Sequence, residues 1–404
     1  MRADDFAIDN CLKCSICNTV CPVLSVHPQY PGPKQLGPEM ERLRREGIHT
    51  DSKWVEYCLG CHRCDVVCPN QVPVSEMIAV AKAEHVKTPV HQLRDWWFAR
   101  PGLLGELSTI VPSVTNFGLS MKPARALMSK LIQITPERKF PAYTKPSPRK
   151  AETNGKERPQ FVFFPGCFIR YNRPDLAEKV VNLMDRNGFG TEVAATDCCG
   201  VPAVANGAAD LARSLARTNI KALAAQVDAG RRIVTTCSSC GHMLKTGFGS
   251  LLSEDKELAE GARKVADNTF DLAELLMMQS DEGKLNTDFQ KTDVHLAYHA
   301  PCHQKSQGTG RPWYHLLGQV PGVSIDDLDA GCCGMSGTFG FKEEKYDVSM
   351  AIGQDLFASV RASDPQFVVT ECATCQMQIE HGTAVNTMHP VEVLLQAYEG
   401  RNSK

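Results

Sequence analysis

CLKCSICNTVCP, residues 11–22, recurs as CLGCHRCDVVCP at residues 58–69, with every cysteine at an equivalent position. Three cysteines separated by two residues can hold one iron-sulfur cubane from a single loop, while the fourth, three residues further and followed by proline, reaches the other cluster. The spacing predicts two interlocked [4Fe-4S] cubanes with exchanged fourth ligands. The first would take Cys11, Cys14, Cys17 and Cys68, and the second Cys58, Cys61, Cys64 and Cys21. Zinc also binds thiolates, but this spacing, present twice, disfavours it.

A larger repeat occupies the C-terminal part of the chain, where ten cysteines form two sets of five. Each set has a single cysteine, a Cys-Cys-Gly (CCG) and a C-x-x-C. The first set is Cys167, Cys198, Cys199, Cys237 and Cys240, and the second is Cys302, Cys332, Cys333, Cys372 and Cys375. Five thiolates exceed the need of a cubane, and adjacent cysteines cannot both reach a small cubane without strain, so each set predicts a non-cubane [4Fe-4S] cluster. Gly200 and Gly334 would supply the permissive backbone of this turn.

Buried structural cysteines are the alternative for the two sets, because a free cysteine packs like a small apolar residue. Two copies with matched spacing speak against that alternative. All eighteen cysteines of the chain then have a place in a predicted cluster site.

Four short apolar runs end in these cysteines and indicate buried strands. They are FVFFPGC (161–167), RIVTTCSSC (232–240), VHLAYHAPC (294–302) and FVVTECATC (367–375). Helical segments lie between them, such as residues 174–188, with Pro174 in the first turn and Gly188 beyond the end. Strands that alternate with helices predict a parallel sheet in each half, with ligand sites at the carboxyl ends of the strands.

The predicted fold class is α+β and multidomain. A mainly helical, two-cluster ferredoxin-like domain is followed by two tandem α/β CCG domains with parallel sheets. The expected boundaries are 1–95 for the ferredoxin-like domain, 96–135 for an amphipathic, interfacial segment, 136–160 for a linker, and 161–290 and 291–404 for the two CCG domains. The linker is inferred from five prolines among polar residues, namely Pro136, Pro141, Pro146, Pro148 and Pro159.

Composition describes an ordinary soluble protein, with 43% hydrophobic residues, 22% charged residues and a net charge of -2. This balance gives no general attraction to nucleic acid. The polar, acidic start MRADDFAIDN lacks the features of a secretory signal and predicts a cytoplasmic protein. In that reducing compartment, eighteen cysteines favour metal binding over disulfides. No apolar run is long enough to span a bilayer, so we expect any membrane contact from one side.

Residues 96–135 have the composition of a segment at a membrane surface. Glu106 is the only charged residue from Pro101 to Met121, and the aromatic residues 96–98 come just before. The helical stripe that follows is Ala124, Leu127, Met128, Leu131 and Ile132, and the basic residues around it are Lys122, Arg125, Lys130, Arg138, Lys139, Lys145, Arg149 and Lys150. This pattern predicts an interfacial helix on anionic lipid. Packing of the stripe on the rest of the protein is the alternative.

Four stretches carry a resemblance to a known family. They are YPGPKQLGPEMERLR (30–44), CCGVPAVANG (198–207), YHAPCH (298–303) and CCGMSGTFGFKEEKY (332–346). A two-cluster ferredoxin module followed by two CCG domains resembles the CCG-containing iron-sulfur subunits, among them the B subunit of heterodisulfide reductase and the iron-sulfur subunit of glycolate oxidase. Within that superfamily, the chain resembles the C subunit of the anaerobic glycerol-3-phosphate dehydrogenases.

The resemblance implies a non-catalytic electron-transfer subunit, peripheral on the cytoplasmic side of the inner membrane. Such a subunit relays electrons from flavin-containing dehydrogenase subunits to menaquinone. No G-x-G-x-x-G follows a predicted strand, so we expect the flavin on another chain. Three alternatives stay open: a heterodisulfide-reductase-like thiol-disulfide enzyme subunit, a subunit of a lactate or glycolate dehydrogenase, and a soluble ferredoxin-like carrier.

Two histidines, His299 and His303, flank Cys302. An imidazole titrates near neutral pH, which would suit a quinone that takes up two electrons and two protons. A histidine beside a cluster is more often a hydrogen-bond donor to the cluster sulfurs. We therefore expect both histidines to tune a cluster, and we assign no quinone site.

Overall fold

The computed structural model describes residues 8–48, 50–146 and 159–400. In this part of the chain, a helical N-terminal region is followed by two four-stranded parallel sheets. The predicted fold class is therefore confirmed. No helix among these residues combines the length and the apolar character needed to cross a membrane.

Short helices around the two cysteine motifs form the N-terminal region. They are α1 (Ile16–Thr19), α2 (Pro22–Val26), α3 (Met40–Arg45), α4 (Arg63–Val66) and α5 (Val74–Glu84), with 3₁₀ turns at Ile8–Asn10 and Lys53–Tyr57 and a π-helix at Gln35–Glu39. Helices α1 and α4 begin at equivalent positions of the two motifs. The sequence repeat is thus a structural repeat as well.

Four helices follow, and each has a proline in its first turn, where the missing backbone N–H costs nothing. They are α6 (Pro89–Phe98), α7 (Pro101–Ser108), α8 (Pro112–Ser120) and α9 (Lys122–Ile132). The expected domain boundary after residue 95 falls inside α6, so we propose to place it before Pro89. Residues 136–146 of the predicted linker contain no helix or strand, and Pro148 lies outside the described residues.

The predicted basic run of this segment is partly wrong. Arg125 and Arg138 are buried, because their guanidinium groups bond to carbonyl oxygens: Arg125 to that of Arg138, at 3.3 Å, and Arg138 to that of Gly340, at 2.6 Å. Leu127 and Leu131 of the predicted stripe are exposed. The remaining members of the stripe are half-buried or exposed, and Arg149 and Lys150 lie outside the described residues.

The eight strands in the described ranges all belong to the two sheets. They are β1 (Phe161–Phe163), β2 (Thr191–Val193), β3 (Arg232–Thr235), β4 (Thr269–Asp271), β5 (Val294–Tyr298), β6 (Val323–Asp327), β7 (Phe367–Val369) and β8 (Thr387–Met388). The strand orders are β2-β1-β3-β4 and β6-β5-β7-β8, with every pair parallel. The four predicted strands are β1, β3, β5 and β7, the central strands of the two sheets.

Helices connect the strands on both faces of each sheet. In the first half these are α10 (Gly166–Tyr171), α11 (Pro174–Arg186), α12 (Val201–Ala205), α13 (Ala209–Asp228), α14 (Ser238–His242), α15 (Phe248–Leu251), α16 (Lys256–Asp267) and α17 (Leu272–Asp281), with a π-helix at Met243–Gly247. In the second half they are α18 (Cys302–Lys305), α19 (Pro312–Leu317), α20 (Tyr346–Ile352), α21 (Gln354–Ser363), α22 (Ala373–Thr383) and α23 (Pro390–Glu399), with 3₁₀ turns at Phe339–Phe341 and Glu343–Lys345.

The strand order places a crevice at the same point of both sheets. Strand β1 lies between β2 and β3. The connection from β1 to β2 therefore runs to one side of β1, and the connection from β2 to β3 runs back across it to the other side. Strand β5 occupies the same place between β6 and β7. Parallel sheets bind ligands at such reversal points, outside the carboxyl ends of the strands. The cysteines follow these strand ends.

Both halves and the N-terminal region pack on one another. One continuous hydrophobic core contains Phe163 and Leu276 of the first half together with Trp313 and Leu394 of the second. A separate core joins residues of the ferredoxin-like region, such as Met77, to the second half. Apolar contacts therefore hold the three parts of the chain against one another.

Candidate iron-sulfur sites

The two ferredoxin-type motifs fold as the same loop twice. Lys13 and Ser15 of the first motif have φ angles of 58° and 68°, and Gly60 and His62 at the equivalent positions have 61° and 58°. Left-handed residues at alternate positions turn the backbone back on itself. The cysteines of one loop can therefore face a common point.

Eight cysteines of these motifs separate into two groups around two small cavities of about 20 Å³ each. One cavity is lined by Cys11, Cys14, Cys17 and Cys68, and the other by Cys21, Cys58, Cys61 and Cys64. Each group includes one cysteine from the other motif, which supports the exchanged fourth ligands that the spacing predicts. Cys14 is exposed, so the first group reaches the protein surface.

Thiols of the first CCG set lie close together at the carboxyl ends of β1, β2 and β3. The Sγ atom of Cys198 is 3.8 Å from that of Cys167, and the Sγ of Cys240 is 3.5 Å from that of Cys199. Cys237 occupies the N-cap position of α14. All five cysteines of the set are free of disulfides.

The second set repeats this arrangement after β5, β6 and β7. The Sγ atoms of Cys333 and Cys375 are 3.3 Å apart, and the thiol of Cys302 interacts with that of Cys332. Cys372 is the N-cap residue of α22, as Cys237 is of α14. The structure thus brings together each set that the sequence repeat predicts.

The glycine of each CCG turn has the conformation that the sequence predicts. Gly200 has φ 94° and Gly334 has φ 86°. The backbone N–H of each glycine donates to the first thiol of its pair, over 3.5 Å to Cys198 and 3.4 Å to Cys332. The turn therefore orients the first cysteine of each pair.

Burial and neighbouring thiols set the protonation of these cysteines. Burial raises the pKa of Cys21 to about 11. Hydrogen bonds from neighbouring thiols, chiefly Cys198 and Cys375 respectively, lower the pKa of Cys199 and of Cys372 to about 6. Each set thus contains a thiol that loses its proton readily at neutral pH, and binding of a metal would release further protons.

Three of the four cysteine groups open on one central cavity of about 370 Å³. The cysteines that line it are Cys58, Cys61, Cys167, Cys199, Cys237, Cys240, Cys302, Cys332, Cys333, Cys372 and Cys375. Apolar side chains also line the cavity, among them Phe98, Leu104, Phe140 and Phe168. Soft thiolates in a mostly apolar enclosure form the donor set that suits iron-sulfur clusters.

Three histidines meet where the ferredoxin-like region contacts both halves. The ring centroids of His62 and His242 are 4.1 Å apart, and His303 stacks on His242 at 5.1 Å. Burial, together with the other two imidazoles, lowers the pKa of His242 to about 2, so its ring is neutral. The sequence singled out only His303 of the three, because the others lack a signal beyond their place next to a cysteine motif.

The two histidines beside Cys302 differ in what they can do. His303 bonds through Nδ1 to the hydroxyl of Ser239 and through Nε2 to the carbonyl oxygen of Gly60, each at 2.8 Å. The single N–H of the neutral ring therefore donates to the carbonyl oxygen of Gly60. The expectation that His303 donates to a cluster is wrong. His299 is buried, and its Nε2 has no hydrogen-bond partner among the described residues. A ring nitrogen of His299 lies near two cysteines of the second set.

Comparison with known proteins identifies the parts of the chain. Residues 161–245 and 296–380 match the family described as "Cysteine-rich domain", and residues 7–72 match the "4Fe-4S dicluster domain". Over 401 residues, the chain is 35% identical to the C subunit of anaerobic glycerol-3-phosphate dehydrogenase from Escherichia coli K12, covering 98% of this chain and 99% of that protein. The chain belongs to the family of that C subunit.

More distant members of the superfamily share parts of the same organisation. The glycolate oxidase iron-sulfur subunit of Escherichia coli K12 is 25% identical and aligns over 98% of this chain and 95% of its own. The D subunit of dihydromethanophenazine:CoB--CoM heterodisulfide reductase from Methanosarcina barkeri is 26% identical over 56% of this chain and 55% of its own. As a member of the C-subunit family, the protein is an iron-sulfur electron-transfer subunit, and the resemblance predicted from the motifs is confirmed.

Proposed function

We propose that this chain carries electrons from flavin-containing subunits that oxidise glycerol 3-phosphate to menaquinone at the cytoplasmic face of the inner membrane. The end-to-end match to the C subunit of an anaerobic glycerol-3-phosphate dehydrogenase carries the proposal. Oxidation of glycerol 3-phosphate to its ketone releases two electrons and two protons. Reduction of menaquinone to its quinol takes up the same number. The chain contributes no catalytic residue to either reaction.

We further propose that the eight ferredoxin-type cysteines hold two cubane [4Fe-4S] clusters and that the two CCG sets hold two non-cubane [4Fe-4S] clusters. The grouping around separate cavities supports the first assignment, and thiol pairs 3.3 to 3.8 Å apart support the second. Such clusters supply one-electron transfer when bound. The protein's own part is to fix the thiolates, most of them buried or half-buried, and to leave Cys14 at the surface.

Membrane contact is proposed for an apolar face on α7 to α9. We define it by Leu107, Ile110, Val114, Phe117 and Leu131, whose side chains are 49 to 69% exposed. Exposed lysines accompany it in the same segment, at Lys122, Lys130, Lys139 and Lys145. An apolar surface beside lysines suits an anionic lipid headgroup layer, which takes up both kinds of side chain. We therefore assign lipid as the occupant of this face.

Purification of the tagged full-length chain from its native membranes tests the donor and the acceptor. We expect flavin-containing subunits to co-purify and the complex to reduce a menaquinone analogue when glycerol 3-phosphate is added. Glycolate and lactate are the matched control substrates, because a glycolate oxidase subunit aligns over the whole chain.

Two results would contradict the proposal. If only glycolate or lactate drives reduction of the menaquinone analogue, this electron-transfer subunit serves a different dehydrogenase. Cleavage of a heterodisulfide by the isolated chain would make it a thiol-disulfide enzyme rather than a non-catalytic subunit.

A further inference from the structure

The two CCG sites differ at one position that faces the cysteines. Phe164 follows β1 and lies three residues before Cys167, while His299 follows β5 and lies three residues before Cys302. Their backbones are equivalent: the N–H of Phe164 donates to Val234 over 2.8 Å and that of His299 to Val369 over 3.0 Å. The sheets therefore present a phenylalanine in the first site where they present a histidine in the second.

His299 is buried against the thiols of its set. The residue is 1% exposed, and its Nε2 atom has no hydrogen-bond partner among the residues that the structure describes. A ring nitrogen of His299 and the Sγ atoms of Cys333 and Cys375 lie within 4.8 Å of one another. Burial of an imidazole nitrogen without a partner is unfavourable, so the position calls for an acceptor among the groups bound there.

Phe164 occupies the matching place without any polar atom. It is fully buried and packs in one hydrophobic cluster with Cys198, Cys199 and Cys240. A second difference between the sites involves charge. The buried Arg138 interacts electrostatically with Cys333 of the second set. The second site thus has an imidazole where the first has a phenyl ring, and a guanidinium near one of its thiols.

We propose that the Nε2–H of His299 donates a hydrogen bond to a sulfur of the cluster held by the second set. A donor to sulfur stabilises the reduced, more negative cluster and so raises its reduction potential. The second CCG site therefore holds an electron in preference to the first. His299 is a positioning and tuning residue for one site of a duplicated pair. The inference rests on the proposed ligation by the two CCG sets, but not on the identity of donor or acceptor.

Redox titration of the reconstituted full chain, followed by electron paramagnetic resonance and by iron analysis, tests this assignment. In His299→Phe, which copies the first site, we expect unchanged iron content and a lower potential for one cluster only. A tenfold change in its reduction equilibrium corresponds to about 59 mV for a one-electron couple. His299→Gln keeps an N–H donor and should recover part of the shift. His295→Phe changes a partly exposed histidine on β5 that bonds to Asp326, and should shift nothing.

Three outcomes would overturn the proposal. Unchanged potentials in His299→Phe would show that no such bond tunes the cluster. Loss of iron in that variant would make His299 a ligand instead of a donor. If the wild-type chain itself lacks the iron of the CCG sites, the ligation proposal fails first, which iron analysis of the wild type distinguishes.

Discussion

At the scale of single residues, a buried group of charges joins the ferredoxin-like region to the second half. Lys345 is 2% exposed and donates to the carbonyl and the carboxylate of Glu56, at 2.8 and 3.2 Å. Lys342 pairs with Asp95 at 2.9 Å. Burial opposes ionisation of Glu56, but Lys345 and its neighbouring lysines hold the pKa of that carboxyl well below its usual range.

Removing one member of this group should destabilise the protein strongly. Lys345→Met leaves Glu56 buried with weaker compensation, and breaking a buried ion pair costs about 3–5 kcal/mol of the free energy of unfolding. The double variant Glu56→Gln with Lys345→Met should lose less than the sum of the two single changes. Chemical denaturation checks this, with Lys291→Met as the control because its pair with Asp293 is exposed. Additive losses would contradict the coupling.

Asp271 makes a second, pH-dependent prediction. This carboxylate caps α17 through the N–H of Ala273, and burial raises its pKa from 3.8 to about 6. The folded state binds this proton more tightly than the unfolded chain, so the stabilisation is present below about pH 4 and is lost as the pH rises through 6. From pH 5 to pH 7, the wild type should lose about 1 kcal/mol relative to Asp271→Asn. Denaturation of both proteins across that range measures it, and a difference independent of pH would refute it.

The sequence predicts which cysteines lie together but not how the charged residues pair, for a physical reason. Cysteine spacing is a local signal, because the loop that carries it closes on itself. KEEKY, residues 342–346, carries only a resemblance until the structure shows its lysines meeting Glu56 and Asp95. Arg125 and Arg138 read as lipid-facing because no local pattern reveals the distant carbonyl that buries an arginine.

At the scale of elements, the apolar patterns reveal the central strands and miss the edges. Strands β1, β3, β5 and β7 are packed on both faces, so they read as continuous apolar runs. Strands β2, with the sequence TEV, and β6, with the sequence VSIDD, are only partly buried, and β8 is two residues long. Such short or half-polar strands owe their place to pairing with the central strands, which no local sequence shows.

The two CCG turns should differ in their tolerance of a side chain. A Cβ at Gly334 would overlap the carbonyl oxygen of Ser349 on α20, whereas a Cβ at Gly200 meets atoms no closer than 3.7 Å. We expect Gly334→Ala to cost about 3–5 kcal/mol, through backbone strain and overlap, and Gly200→Ala about 1–2 kcal/mol, through strain alone. Thermal unfolding of the two matched variants checks this. Equal losses would show that the second turn relaxes.

Membrane binding belongs to the scale of helices α7 and α8. Replacing Ile110, Val114 and Phe117 by serine removes apolar side chains that are 67 to 69% exposed, and should weaken co-sedimentation with anionic liposomes at least tenfold. The control replaces three exposed apolar residues elsewhere, Val66, Val86 and Met278, and should leave binding unchanged. Equal binding of all three proteins would mean that the apolar face meets a partner protein instead of lipid.

At the scale of the whole molecule, the repeats forecast the number of sheets but not how the parts pack. The sequence predicts two α/β domains, and the structure adds a hydrophobic core common to both. That core comes from faces such as those of α11 and α23, which are far apart in sequence. Long-range apolar packing has no local signature, so the boundaries at 160 and 290 remain predictions.

Iron should hold this assembly together. If all four sites are loaded, a reconstituted chain contains about sixteen iron atoms, four for each cluster. Removal by a chelator leaves buried thiols without their metal, so the midpoint of thermal unfolding should fall by about 5 °C or more. Iron analysis and calorimetry before and after chelation measure both quantities. A midpoint unchanged by chelation would show that the clusters add nothing to stability.

The central cavity has a consequence for how the protein is made. Its wall runs from Cys58 to Met377, so it closes only after nearly the whole chain has left the ribosome. The two CCG sets differ in this respect from the ferredoxin-type motifs, whose eight cysteines are all synthesised within the first 68 residues. If these sites hold iron, its delivery can begin at the N-terminal motifs while synthesis continues, but at the second CCG set it must wait until Cys375 has been synthesised. A chain that terminates before Cys375 would bind the clusters of the N-terminal motifs, and so be coloured, but would lack a complete second CCG site.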